Sequence, residues 1–144
     1  MKTFHSFTIP VTPKPLQFSG KRIFVVAGKP RFFKDAKALA YQRDISFFCR
    51  RHLPDTPHAC PLALTLTFVL PRPLKLKKSD SIAAVKRPDL DNLIKGTQDA
   101  LSDFWRDDSQ IVYLVALKSY ATEGMAPCIG ILIQDASNLF SDAQ

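Results

Sequence analysis

Six of the thirteen acidic residues, Asp89, Asp91, Asp99, Asp103, Asp107 and Asp108, fall within one window of twenty positions. That window holds only two basic residues, Lys95 and Arg106, a net −4; the other 124 residues carry 18 basic and 7 acidic side chains, or +11. Two carboxylates held about 6 Å apart repel by roughly 3 kcal/mol at an effective dielectric near 20. An acidic island in a basic chain therefore points to a compensating cation, and the basic remainder to a polyanion. Mg²⁺ or Mn²⁺ takes hard oxygen ligands and keeps several waters, so two or three carboxylates suffice. Such an ion activates water and neutralises a leaving oxygen in phosphodiester hydrolysis. Lys95, one helical turn from Asp91, is spaced to donate to a phosphate or to hold the attacking water. The plainer reading stands beside this one: Asp89 or Asp91 caps a helix, and Asp107-Asp108 starts a turn.

Placing these groups together makes demands on the elements around them. Pro88 and the acids after it mark a helix start, and a helix is predicted over Asp89–Asp103. Leu90, Leu93, Ile94, Thr97, Leu101 and Phe104 form its buried stripe; Asp91, Lys95 and Gln98 fall opposite, with Asp99 close by. With Asp89 still extended, it and Asp91 can face one point in front of the helix. Asp107-Asp108 returns there only if the following strand lies beside the helix.

The remaining elements are predicted as an opening strand ending at Pro10, a short strand Arg22–Val26 and a first helix over 34–53. That helix is striped by Ala38, Tyr41, Ile45 and Phe48 and stopped by Pro54. Leu62–Leu70 is a strand with Leu62, Leu64, Leu66 and Phe68 on one face. Ile111–Tyr120 and Pro127–Gln134 are two more, read as a hairpin through 121–125. Residues 135–144 lack periodicity and read as a loose tail. The order is that of an α+β protein: one domain over 1–144, with a mixed sheet packed against two main helices.

The formal net charge is +7 with a pI near 9.5, which favours a nucleic-acid or anionic-surface partner. Residues 14–37 interleave Lys14, Lys21, Arg22, Lys29, Arg31, Lys34 and Lys37 with Phe18, Phe24, Phe32 and Phe33. Those rings either stack on exposed bases or belong to the core. A second basic stretch, Arg72, Lys75, Lys77, Lys78, Lys86 and Arg87, runs straight into the acidic island, and a loop this long and charged is expected to order on a partner. No apolar run reaches membrane-spanning length and the N-terminus lacks a signal-peptide block. The three cysteines, Cys49, Cys60 and Cys128, form no C-x-x-C, which argues against a disulfide framework or zinc site and suggests a reducing, cytoplasmic location. Cys49 reads as a buried structural thiol, and His52 and His58 as surface residues.

The run K-R-P-D-L-D-N-L-I-K at 86–95, then Asp99-Ala100-Leu101, then F-W-R-D-D-S-Q-I-V at 104–112, resembles the signature of the RusA family of Holliday junction resolvases. Element order and length are similar to that family over most of the chain. The resemblance implies an α+β, homodimeric, Mg²⁺-dependent endonuclease, with Mn²⁺ able to substitute, that nicks four-way DNA junctions symmetrically. It implies Asp89, Asp91 and Asp108 as metal-binding catalytic carboxylates and Lys95 as the catalytic lysine. Asn92 would support them, and Asp107 and Asp99 match further motif positions. Lys75, Lys77, Lys78, Lys86, Arg87, Lys29 and Arg31 are the expected DNA contacts. The chain departs from the pattern at Pro88, where family members often carry a basic residue; here Arg87 stands one step earlier. Two alternatives accompany this reading: a non-catalytic DNA-binding protein, and a nuclease for other branched DNA.

Overall fold

The computed structural model describes residues 1–15, 22–33 and 36–141, with the side chains of 22–24 and 31–33 outside the description. Its strands are Lys2–Ile9 (β1), Arg22–Val26 (β2), Lys29–Phe33 (β3), Leu62–Leu70 (β4), Ile111–Tyr120 (β5) and Cys128–Asp135 (β6). Its helices are Ala36–Cys49 (α1) and Leu90–Ala100 (α2).

β4 contains no charged residue and is apolar or threonine on both faces, as a central strand demands. It pairs in parallel with β5 on one side and antiparallel with β6 on the other. β1 adds antiparallel to β6, giving the order β1-β6-β4-β5 in a mixed α+β sheet. The hairpin expected between the last two strands is therefore absent: β4 lies between them, and the segment through Gly124 (φ +80) crosses its end. Periodicity located both strands, but short spacing misled about their pairing, because seven linking residues suffice to step over one strand.

One sheet face carries Leu62, Leu64, Leu66, Phe68, Ile129 and Ile133, all at 0% exposure. Against it pack Tyr41, Ile45 and Cys49 from α1, Leu93 from α2, and Leu101 and Phe104 after it. Burial pushes the Cys49 thiol up to about 12, so it stays protonated and inert, a packing residue as expected. All three cysteines are free. Both helices are shorter than the sequence suggests, because their last turns tighten. Arg50–His52 and Ser102–Phe104 are 3₁₀ turns, and the Leu101 N–H is shared between the Thr97 and Gln98 carbonyls.

β2 and β3 form a separate two-stranded ribbon. Sequence reading missed β3 because Pro30 interrupts it, yet a ribbon edge tolerates proline. Ala27 (φ 52) and Gly28 (φ 75) make the tight turn, with the two positive φ values of a type I′ hairpin. The described part of the expected tail holds a 3₁₀ turn, Ser137–Phe140, preceded by buried Ala136, whose N–H donates to the Pro61 carbonyl at 2.9 Å.

The histidines read as surface residues are instead half-buried between β1 and the loop before β4. His52 stacks on Phe7 at 4.1 Å and His58 on Phe4 at 4.2 Å. His58 Nε2 lies 2.8 Å from His5 Nε2, so one ring donates to the other. Desolvation holds His5, His52 and His58 all below the usual histidine value. No described helix is long and apolar enough to cross a membrane.

Candidate active site

The acidic window becomes two short structures that meet. The first is the start of α2. Asp89 occupies the N-cap with extended backbone (φ −72, ψ 146), as the sequence anticipated, and its carbonyl accepts from the Leu93 N–H. Its carboxylate makes no capping bond, so the bland explanation of Asp89 as a side-chain cap is removed. Asp91 follows in the first turn, where the unpaired N–H groups favour negative charge. The approach to Asp89 is held from the sheet: the Lys118 ammonium on β5 donates to the Lys86 carbonyl at 3.0 Å and the Pro88 carbonyl at 2.7 Å.

The second structure is the turn before β5. Asp107 is a true cap: its Oδ1 accepts from the Ser109 N–H at 2.8 Å, and those bonds hold its carboxyl below the usual carboxylate range. Gln110 closes the turn, its Oε1 accepting from the Arg106 and Asp107 N–H groups. Its Nε2 reaches the His58 and Cys60 carbonyls at 3.0 and 2.9 Å, tying the turn to the strand-like segment before β4. Asp108 is then oriented by Trp105, a buried residue at 3% exposure whose Nε1–H donates to Asp108 Oδ1 at 2.7 Å.

Between the two structures lies a cavity of about 190 Å³ lined by Asp91, Ile94, Lys95, Gln98, Asp99 and Asp108. Four of the residues singled out from the sequence are thus brought together from separate segments. Lys95 Nζ sits 3.6 Å from Asp99 Oδ1, one helical turn along. Asp89, Asn92 and Asp107 do not line this cavity. The expected trio Asp89, Asp91 and Asp108 does not converge on one point: among the described residues no three His, Cys, Asp or Glu side chains gather closely enough to hold a metal ion.

The donor set of the cavity fits a hard divalent cation. Its ligating atoms are carboxylate and amide oxygens, with no cysteine or histidine among them. Two carboxylates with water completing the shell are what Mg²⁺ commonly takes.

The basic residues expected to contact DNA fall in two groups along the chain. Lys75, Lys77, Lys78, Lys86 and Arg87 are exposed on the loop between β4 and α2. That loop is tied down by the protein itself: Arg72 donates to the Ala121, Leu76 and Lys77 carbonyls, and Asp80 Oδ2 accepts from the Lys77 N–H. Lys78 is engaged with Glu123 at 2.9 Å. Lys29 is exposed beside the β2–β3 turn; Arg31 lies on β3, paired with Phe24. Lys21, Lys34 and Phe18 lie outside the described residues.

Sequence reading did not single out Trp105, Gln110 or Lys118. Trp105 and Gln110 stand within the acidic motif, where a donor and an amide beside Asp107-Asp108 were the available signal. Nothing short-range marked Lys118, whose partners lie some thirty residues earlier in the chain.

Comparison with known proteins gives the family. The model of the family described as endodeoxyribonuclease RusA matches residues 10–133, which include every residue of the cavity. The chain is also similar to the uncharacterized protein YqaN of Bacillus subtilis (strain 168), at 27% identity over 120 residues, covering 76% of this chain and 82% of YqaN.

Proposed function

The chain belongs to the RusA endodeoxyribonuclease family, and we propose that it is a divalent-metal-dependent enzyme resolving four-way DNA junctions by paired, symmetric nicks. The observation that carries this reading is the meeting of Asp91, Lys95 and Asp108 on one cavity, from segments that only the fold brings together. Asp91 and Asp108 would hold Mg²⁺, or Mn²⁺ in its place, with water completing the shell. When bound, the ion supplies a Lewis acid that activates water and neutralises charge on the departing oxygen.

The protein's own groups do the rest. Lys95 presents its ammonium at the cavity wall, where it offers a hydrogen bond to a non-bridging phosphate oxygen; the contact with Asp99 limits its rotamers. Trp105 fixes Asp108, and the Asp107–Gln110 cap fixes the turn that carries it. Asn92 supports the helix start. Lys75, Lys77, Lys86 and Arg87, with Lys29 and Arg31, would bind phosphates along the arms, a term that weakens steeply with salt.

Two opposed cuts need two sites, and a second copy of the chain is the partner we propose. The two edges of the sheet differ in how they are guarded. β1 carries Lys2, a register shift between Thr3 and His5, and Pro10 at its end, all devices that discourage pairing. β5 has no charge from Ile111 to Leu117 and exposes Val112, Tyr113, Leu114 and Leu117. Among the described residues its outer edge is bridged only near Ser119, by Ala83. Antiparallel self-pairing there about a two-fold axis normal to the sheet would leave both cavities on one face.

End-labelled four-way junction and matched linear duplex, each with Mg²⁺ or EDTA, test the reading. Metal-dependent paired nicks in the junction alone are expected, and Asp91→Asn should lose them while binding junction within a few-fold of wild type. Cleavage retained by Asp91→Asn removes that residue from the mechanism. Binding without nicks under either metal favours a non-catalytic DNA-binding protein, and equal cutting of flaps or single strands favours a different branched substrate.

A further inference from the structure

The acid cavity does not end at Asp99. That residue also lines a larger groove of about 530 Å³ between α1 and the end of α2, together with Gln42, Arg43, Ser46, Phe47 and Arg50. Ser46 Oγ donates to the Ala100 carbonyl at 3.3 Å, so the floor where the helices meet is fixed. Phe47 stands 68% exposed on the wall, its ring buttressed edge-on by Phe48 at 5.3 Å. Neither Arg43 nor Arg50 is in an ion pair among the described residues. Asp44 and Asp99 also line the groove, and Asp99 already faces Lys95.

A supported, exposed phenyl ring flanked by two uncommitted guanidinium groups has a definite chemistry. The ring offers a stacking face to a nucleobase, while the guanidinium groups take the phosphates on either side. The volume lies within the roughly 300–1,000 Å³ of small-ligand sites, enough for a nucleoside. Arg43 and Phe47 stand four residues apart on the face of α1 turned from the core stripe, and Arg50 follows three residues on, in the 3₁₀ turn that ends the helix.

We infer that this groove is a strand-binding site: DNA leaving the acid cavity runs along α1, with an unpaired base next to the branch point stacked on Phe47 and adjacent phosphates held by Arg43 and Arg50. This rests on the nuclease reading for the direction of the strand, but the binding itself needs no cleavage. A branched substrate supplies such a base at little cost, because base pairs at the branch point are already weakened, whereas a linear duplex must be opened. The groove would therefore favour junctions over duplex by selecting among DNA shapes.

The test uses the full chain in EDTA, so that no cutting occurs, and a four-way junction carrying 2-aminopurine beside the branch point. Its fluorescence rises when the base leaves the duplex stack. Wild type is expected to raise it; Phe47→Ala should abolish the rise and weaken junction binding roughly 10- to 100-fold, with linear duplex little affected. Phe47→Tyr, which keeps the ring, should restore both. Arg43→Ala with Arg50→Ala should lower the salt slope of binding by about 1.5. Phe47 and both arginines are exposed, and circular dichroism confirms folding of each variant. Unchanged fluorescence and affinity in Phe47→Ala overturn the inference even if wild type nicks junctions. Groove-dependent binding by a wild-type protein that never nicks would instead keep the strand site and sink the nuclease reading.

Discussion

Trp105→Phe isolates the bond that orients Asp108. The indole Nε1–H to Oδ1 distance of 2.7 Å is short, and the acceptor is a carboxylate, so this is a charge-assisted hydrogen bond. Such bonds contribute about 1.5–3 kcal/mol, and the exposure of Asp108 argues for the lower end. Phenylalanine keeps most of the packing of a residue only 3% exposed but removes the donor and leaves a small void, which should cost about 1–3 kcal/mol of stability. If Asp108 binds the metal only when held in this rotamer, about 1.5 kcal/mol of lost orientation becomes roughly a tenfold fall in activity at limiting metal. Junction nicking should therefore be followed across a Mg²⁺ titration, alongside thermal melting. The expected signature is a midpoint moved to higher Mg²⁺ with partial recovery at saturation. A folded variant that nicks at the wild-type rate at every Mg²⁺ concentration refutes the link from Trp105 to Asp108. Loss of activity that tracks loss of folded protein would make Trp105 a core residue and nothing more.

Three further outcomes follow from other parts of the fold. Lys118→Met removes both bonds to the Lys86 and Pro88 carbonyls. It should destabilise by about 1–3 kcal/mol in denaturant unfolding, and reduce nicking beyond that by loosening the approach to Asp89; unchanged nicking would detach the clasp from the site. Leu114→Lys places a charge on the open β5 edge, and sedimentation should show a folded monomer giving single rather than paired nicks; an intact dimer would move the interface elsewhere. Acidification should destabilise the fold, because burial lowers His5, His52 and His58 relative to the unfolded chain. Between the ordinary value near 6.5 and the lower folded values the unfolded state binds more protons, so stability is full above about pH 7 and falls as pH drops through that window. A melting temperature flat from pH 7.5 to 5.5 contradicts this, and His5→Phe, which removes one of the paired rings, should shallow the slope.

What was legible in the sequence followed the range of the signal. The stripe Leu93, Thr97, Leu101, Phe104 is a local pattern with one solution, and it placed Asp91, Lys95 and Asp99 on a common face of α2. Leu62–Leu70 was bounded correctly because prolines and polar residues close it on both sides. The pairing of β5 was not legible, since nothing in Ile111–Tyr120 states which neighbour it takes; the choice is made by β4, an uncharged strand that needs partners on both edges. The same distance limit explains the histidines. His5 and His58 are 53 residues apart, and His58 read as a surface residue until the sheet laid β1 beside the loop that carries it. It also explains the division of labour within the aspartates. Equivalent on composition, they separate only in three dimensions: Asp107 spends its oxygens on Ser109, Asp108 is held by a buried indole, and Asp91 faces the cavity from a helix start. The clustering that raised the suspicion of chemistry thus reflects two different pressures. Part of the island builds the turn, and the remainder is left with oxygens to offer a cation.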